Sequence, residues 1–131
     1  MVDAEEKSIL VVEDDPSLAL VLRRRLEASG FQVATVSSGA EALSDAAEHR
    51  PDLVILDLRL PDMHGYQVCR ELRKLYHAWT MPILMLTGMD RPIDQLRGFA
   101  FGADAYLTKP CEPQELLKTI ELLLGQEAFA A

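Results

Sequence analysis

Four short apolar runs in this chain stop abruptly on side chains that can do chemistry. Ile9-Leu10-Val11-Val12 runs into Glu13-Asp14-Asp15, Leu53-Val54-Ile55-Leu56 into Asp57, Ile83-Leu84-Met85-Leu86 into Thr87, and Ala105-Tyr106-Leu107-Thr108 into Lys109. Brought together, the three carboxylates Glu13, Asp14 and Asp57 would repel one another. Two unit charges 4 Å apart interact by roughly 4 kcal/mol at an effective dielectric of about 20. Such a cluster keeps a proton or recruits a cation. Oxygen-only ligands, few in number and open to water and phosphate, favour Mg²⁺. Lys109 would offset further charge and bind a phosphate oxygen, and Thr87 can donate a hydrogen bond to another. Each residue alone has an ordinary reading. Asp15 before Pro16 reads as a helix N-cap, Thr87 as a β-former, Lys109 as a surface charge, and Met85, Met89 and Trp79 as packing residues. Together they point to phosphate chemistry.

The elements between these runs must bring them to one place. Pro16 suits a first helical turn, Leu18, Val21, Leu22 and Leu26 recur at helical spacing, and Gly30 suits the helix end. Gln32 to Val36 reads as a strand, and Ser38-Gly39 opens a helix carrying Ala42, Leu43, Ala46 and Ala47. After the loop Leu60-Pro61-Asp62-Met63-His64-Gly65 comes a helix with Val68, Leu72, Leu75 and Tyr76 on one face. Ile93 to Phe101 reads as a short helix closed by Gly102, and Pro113 to Leu124 as the last. Continuous apolar strands alternating with amphipathic helices predict an α/β domain, a doubly wound parallel sheet of five strands covered on both faces. The expected domain spans 8–124, with tails at 1–7 and 125–131. In such sheets functional groups gather at the carboxyl ends of the strands.

Composition narrows the function classes. Apolar residues at 49% and charged residues at 26% fit a globular chain. Thirteen Lys and Arg against 21 Asp and Glu leave a net charge of −8, which argues against nucleic-acid or anionic-membrane partners, since both need a basic face. No apolar run nears the roughly 20 residues of a membrane helix. The acidic Met1-Val2-Asp3-Ala4-Glu5-Glu6 start lacks an apolar signal region, so a cytoplasmic protein is expected. Cys69 and Cys111 are too few for a disulfide framework and read as two buried thiols.

From Ser8 to Leu124 the sequence resembles the response-regulator receiver family of two-component signalling. The resemblance rests on Ile9-Leu10-Val11-Val12-Glu13-Asp14-Asp15-Pro16, Leu56-Asp57-Leu58-Arg59-Leu60-Pro61-Asp62-Met63-His64-Gly65, Leu86-Thr87-Gly88 and Gly102-Ala103-Asp104-Ala105-Tyr106-Leu107-Thr108-Lys109-Pro110. It implies strand order 2-1-3-4-5 and a phosphoacceptor switch that catalyses only its own phosphorylation and dephosphorylation. By position, Asp57 resembles the phosphoacceptor. Glu13 and Asp14 resemble the acidic pair that holds Mg²⁺, with Asp14 the more direct ligand and the Arg59 backbone carbonyl a further one. Thr87 resembles the switch hydroxyl, Tyr106 the switch aromatic and Lys109 the phosphate-binding lysine, followed by a cis peptide to Pro110. Arg59 and Met89 stand at the positions that flank the hydrolytic water and tune phosphoryl lifetime. The implied partners are a histidine kinase or phosphotransfer protein and a downstream protein meeting the helix 4–strand 5–helix 5 face.

The chain departs from the family pattern at three places. Gly88 replaces a common Ala, Ala105 stands where one transcriptional subfamily has a second acid, and the last helix offers Lys118 but no arginine. A degenerate receiver that binds partners without phosphorylation is the competing reading, although every acceptor group is present. A flavodoxin-like electron carrier would need a phosphate cradle where Glu13-Asp14-Asp15 stand. An aspartate-nucleophile phosphatase would have Asp-x-Asp, whereas Leu58 and Arg59 follow Asp57.

Overall fold

Consecutive residues of a strand point to opposite faces of its sheet, so a strand with no polar residue needs cover on both sides. The computed structural model describes residues 7–77 and 80–125. Its elements run β1 (Ser8–Val12), α1 (Pro16–Ala28), β2 (Gln32–Val36), α2 (Gly39–His49), β3 (Leu53–Leu56), α3 (Gly65–Leu75), β4 (Ile83–Thr87), α4 (Pro92–Ala100), β5 (Ala105–Thr108) and α5 (Pro113–Leu124). All strand pairs are parallel, in the order β2-β1-β3-β4-β5. The expected architecture and strand order are both present. Trp79 and nearly all of the two expected tails lie outside the described residues.

Alternation sorts the core into two layers. Leu10, Val12, Val54, Leu56, Ile83 and Met85 pack with Ala42 and Ala46 of α2 and Val68, Cys69 and Leu72 of α3. Ile9, Val11, Leu53, Ile55, Leu84 and Leu86 pack with Leu22 and Leu26 of α1 and Leu116, Ile120 and Leu123 of α5. The small Ala42 and Ala46 let α2 lie close to the sheet. The periodic apolar positions outnumber those the sheet can cover. Val21, Leu75 and Ala47 are exposed, and Tyr76 lies just past α3, where its hydroxyl donates to the Ala46 carbonyl.

Helix ends follow local chemistry. Asp15 caps α1, accepting from the Ser17 and Leu18 amides at 3.0 and 3.4 Å. Beyond that helix Gly30 has φ 96°, a left-handed conformation that glycine adopts without a Cβ clash. Cys69 is buried, and burial pushes its thiol up to about 11. Cys111 is not buried as expected. It follows Pro110 in the loop before α5, outside any element, and is only partly covered.

At the pole away from the strand carboxyl ends, Arg73 of α3 gathers three segments. Its guanidinium donates to the Gly102 carbonyl at 2.8 Å, the Met81 carbonyl at 2.6 Å and Asp104 Oδ2 at 2.5 Å. Asp104 Oδ2 also accepts from the Ile83 amide at 2.8 Å. Burial raises the Asp104 carboxyl above its ordinary range, against the Ile83 amide and Arg73, so the charged form depends on its donors. Replacing Arg73 by Met strips that carboxylate of its cation, leaving it the Ile83 amide alone, and removes the donor to the Gly102, Tyr76 and Met81 carbonyls. We expect Arg73→Met to lose about 3 kcal/mol, the low end for breaking a buried ion pair, as read by urea unfolding at pH 7. A loss within 0.5 kcal/mol, typical of ordinary surface changes, would refute the clamp.

Candidate functional site

Register carries the acids to one edge. Val12 pairs with Leu56, so the residues that follow, Glu13 and Asp57, emerge side by side. Backbone bonds fix both: the Asp57 amide donates to the Val12 carbonyl at 3.1 Å and the Glu13 amide to the Val36 carbonyl at 3.0 Å. Glu13 and Asp57 are 4% and 6% exposed, too little for water alone to solvate two carboxylates. Asp14 is exposed. One carboxylate oxygen from each of Glu13, Asp14 and Asp57 lies within 4.8 Å of the others.

Lys109 closes the site from β5. Its ammonium donates to Glu13 Oε1 at 2.5 Å and to Asp57 Oδ2 at 2.8 Å. The Lys109–Pro110 peptide is cis, and the Lys109 amide donates to the Thr87 carbonyl at 2.8 Å. Burial disfavours charge on Lys109, but its bonds to Asp57 and Glu13 outweigh that and hold its pKa above the usual lysine value. Burial also lifts the Glu13 carboxyl above the ordinary range, the Asp57 charge adding to the effect against hydrogen bonds from Lys109 and the Asp15 amide. One ammonium faces three carboxylates. The donor set is all oxygen, one member is solvent-facing, and three carboxylates against one ammonium leave two negative charges in excess. A divalent hard cation fits that arrangement.

The loop after Asp57 is closed at its base. The Gly65 amide donates to the Leu58 carbonyl at 2.8 Å, Arg59 and His64 form an isolated bridge, and the Arg59 amide donates to Asp57 Oδ1 at 3.3 Å. A Cβ on Gly65 would come within 2.6 Å of the Asp57 carbonyl and of Leu58 Cα, so only glycine permits this closure. His64 caps α3 by accepting from the Tyr66 amide.

Thr87, Tyr106 and Met89 form a second group. Thr87 is buried at the end of β4, and its hydroxyl accepts from the Met89 amide at 3.4 Å. Tyr106 donates its hydroxyl to the Met89 carbonyl at 2.6 Å. Among the described residues no hydrogen bond joins Thr87 to Asp57. The structure thus brings Glu13, Asp14, Asp57 and Lys109 together directly. Thr87 reaches them through its backbone, and Tyr106 through Met89. Arg59 is exposed beside Asp57, and Met89 packs its side chain against the core. Sequence reasoning passed over Asp62, whose carboxylate accepts from the Gly39 and Ala40 amides at 2.8 and 2.9 Å. The available signal was an acid in the turn after Pro61. Its partners, 23 and 22 residues away, are invisible to local pattern.

Known proteins agree with this geometry. The profile of the response regulator receiver domain matches residues 9–121. The chain is 42% identical over 125 residues to the alkaline phosphatase synthesis transcriptional regulatory protein PhoP of Bacillus subtilis, covering 95% of this chain and 51% of that protein. It is 44% identical to the DNA-binding response regulator MtrA of Mycolicibacterium smegmatis, covering 93% of this chain and 52% of that one. A CheY-like receiver domain protein from Methanospirillum hungatei superposes with a TM-score of 0.89 at 30% identity, covering 95% of this chain and 98% of that one. The BeF₃-activated receiver domain of Klebsiella pneumoniae RstA gives 0.84 at 32% identity, covering 89% and 97%. The chain belongs to the response-regulator receiver family, the phosphoacceptor domains of two-component signalling. It spans about half the length of the curated relatives it matches. The expectation of no nucleic-acid partner is not supported, because those relatives are named as transcriptional or DNA-binding regulators. A net charge of −8 describes this chain alone. Among the described residues no helix is long and apolar enough to cross a membrane.

The Asp62 contact sets a pH dependence. The Gly39 and Ala40 amides hold its carboxyl below the ordinary range. A group whose folded pKa is depressed stabilises the fold above its unfolded pKa, and that stability is lost as the pH falls through the folded value. We expect the melting temperature of the wild type to exceed that of Asp62→Asn above about pH 5. The gap should close as the pH falls below the unperturbed aspartate value of about 3.9. A gap that stays constant from pH 7 to pH 3 would contradict the assignment.

Proposed function

We propose that this receiver takes a phosphoryl group onto Asp57 from a phosphohistidine of a kinase or phosphotransfer protein, in a Mg²⁺-dependent reaction in the cytoplasm, within the unit 8–124. The observation that carries the reading is the convergence of Glu13, Asp14 and Asp57 with Lys109 bridging two of them. A carboxylate oxygen of Asp57 attacks phosphorus, the P–N bond breaks, and the imidazole leaves with a proton from solvent. Glu13, Asp14, Asp57 and the Arg59 carbonyl would hold Mg²⁺, which would supply positive charge to the phosphoryl oxygens. Lys109 exchanges its carboxylate bonds for one to a phosphoryl oxygen. Thr87 can turn its hydroxyl from the Met89 amide to the new acceptor, and Tyr106 senses that change through the Met89 carbonyl. The chain catalyses only these steps on itself. Exposed Ile93, Leu96 and Phe99 of α4 and Leu122 of α5 support a downstream protein partner at the α4–β5–α5 face. A phosphorylation-independent binding module has no specific observation in its favour, since Glu13, Asp14, Asp57 and Lys109 stand together as a phosphoacceptor site would need them.

Three measurements test this. Acetyl phosphate with Mg²⁺ should add one phosphoryl mass to the wild type and none to Asp57→Asn. Equal uptake by both moves the acceptor elsewhere. Mg²⁺ should raise the melting temperature of the wild type by relieving repulsion among the acids, and Asp14→Asn should lose most of that rise. An identical response places the cation at another site. Phosphoryl loss should be slow, because neither the Arg59 guanidinium nor the Met89 thioether orients an attacking water. A variant with Arg59→Asn and Met89→Glu should lose phosphate about tenfold faster, the effect of roughly 1.4 kcal/mol in the transition state. Mass measured over time reads this directly, and equal decay refutes it.

A further inference from the structure

The tip of the loop between β3 and α3 is held by a contact that the reading above leaves unused. Asp62 spans the first two peptide groups of α2, one carboxylate oxygen on the Gly39 amide and the other on the Ala40 amide. The next amide of that turn, from Glu41, donates to Ser38 Oγ at 3.1 Å. First-turn amides have no partner within their own helix, and they carry the positive end of its dipole. A carboxylate that bridges two of them binds more firmly than a hydroxyl on one. Met63 presses on the same point: a Cβ on Gly39 would lie 2.4 Å from Met63 Cγ. Glycine at 39 is therefore what lets the loop tip and α2 touch.

This loop is pinned at both ends. Its base is closed by the Gly65–Leu58 bond and the Arg59–His64 bridge, and its tip is fixed on α2. Arg59 lies at the base, beside Asp57. We propose that Asp62 is a positioning residue for the cation and phosphoryl site. By fixing the loop tip to the α2 N-terminus, it sets the direction in which the Arg59 backbone carbonyl points. The inference rests on the receiver reading above. Mg²⁺ demands near-ideal octahedral geometry at about 2.0–2.1 Å, so a carbonyl free to turn is a poorer ligand even when every carboxylate remains.

The test compares the wild type with Asp62→Ala, Asp62→Asn and Ser38→Ala. Mg²⁺ is titrated into the unphosphorylated chain by calorimetry, with the amide NMR shifts of Arg59 and Leu60 as a second readout. Ser38→Ala removes a cap from the same helical turn but leaves the loop attached, so it controls for loss of α2 stability. Asp62→Ala should weaken Mg²⁺ binding by about tenfold, the low end for partners that orient a metal ligand, while Ser38→Ala should stay within about twofold of wild type. Asp62→Asn, which keeps one acceptor, should fall between, and it decides the matter if the alanine variant does not fold. Wild-type affinity in both Asp62 variants overturns the proposal, as does equal weakening by Ser38→Ala. No Mg²⁺ binding by the wild type overturns the cation site itself, and this proposal with it, in an arm separate from the variants.

Discussion

One ammonium group holds the working edge of this protein together. Parallel strands all end on the same side, so Glu13 and Asp57 must emerge as neighbours once β1 and β3 pair, and Asp14 comes with them. That topology creates repulsion which no rearrangement within the sheet can relieve. Lys109, at the end of β5 and two strands from β3, reaches back across β4 and touches both buried carboxylates. Its bridge is a partial answer, leaving negative charge over. The excess makes the edge receptive to a cation, and the ammonium is a donor that an incoming anion can take over.

The body of the fold serves that edge by staying fixed. Both faces of the sheet are packed, and at the opposite pole Arg73 joins the end of α3 to the starts of β4 and β5. The groups left free to exchange partners are then those of the loops at the strand carboxyl ends. Those loops are held by few bonds each, mostly to backbone groups, and a change of one or two can redirect a side chain while the core stays intact.

The fold was legible because its strands are written as unbroken apolar runs whose ends coincide with the chemistry. Glu13, Asp57, Thr87 and Lys109 each terminate such a run, and strand position alone brings their backbones together. Their side-chain connections were less accessible. Thr87 donates nothing to Asp57 among the described residues and instead accepts from Met89, a contact set by loop conformation. Asp62 and Arg73 act on partners far along the chain, so neither spacing nor hydropathy marks them. Val21 and Leu75 show another limit: helical period identifies an apolar face but not how wide a stripe the sheet will cover. Cys111 follows the same logic, since its residue type suggests burial and its place in a proline-bounded loop prevents it.

Met89 connects Thr87 and Tyr106 through its peptide groups, the amide serving one and the carbonyl the other. Any amino acid other than proline supplies the same two groups. The identity of residue 89 is therefore free to drift without severing the line between hydroxyl and phenol. If its side chain sets the phosphoryl lifetime as proposed, duplicated copies of such a domain would diverge in tempo by exchanging what hangs from this backbone, while inheriting the same internal wiring. On the proposed reading, how long a message persists and whether it is transmitted at all would then be separately heritable traits.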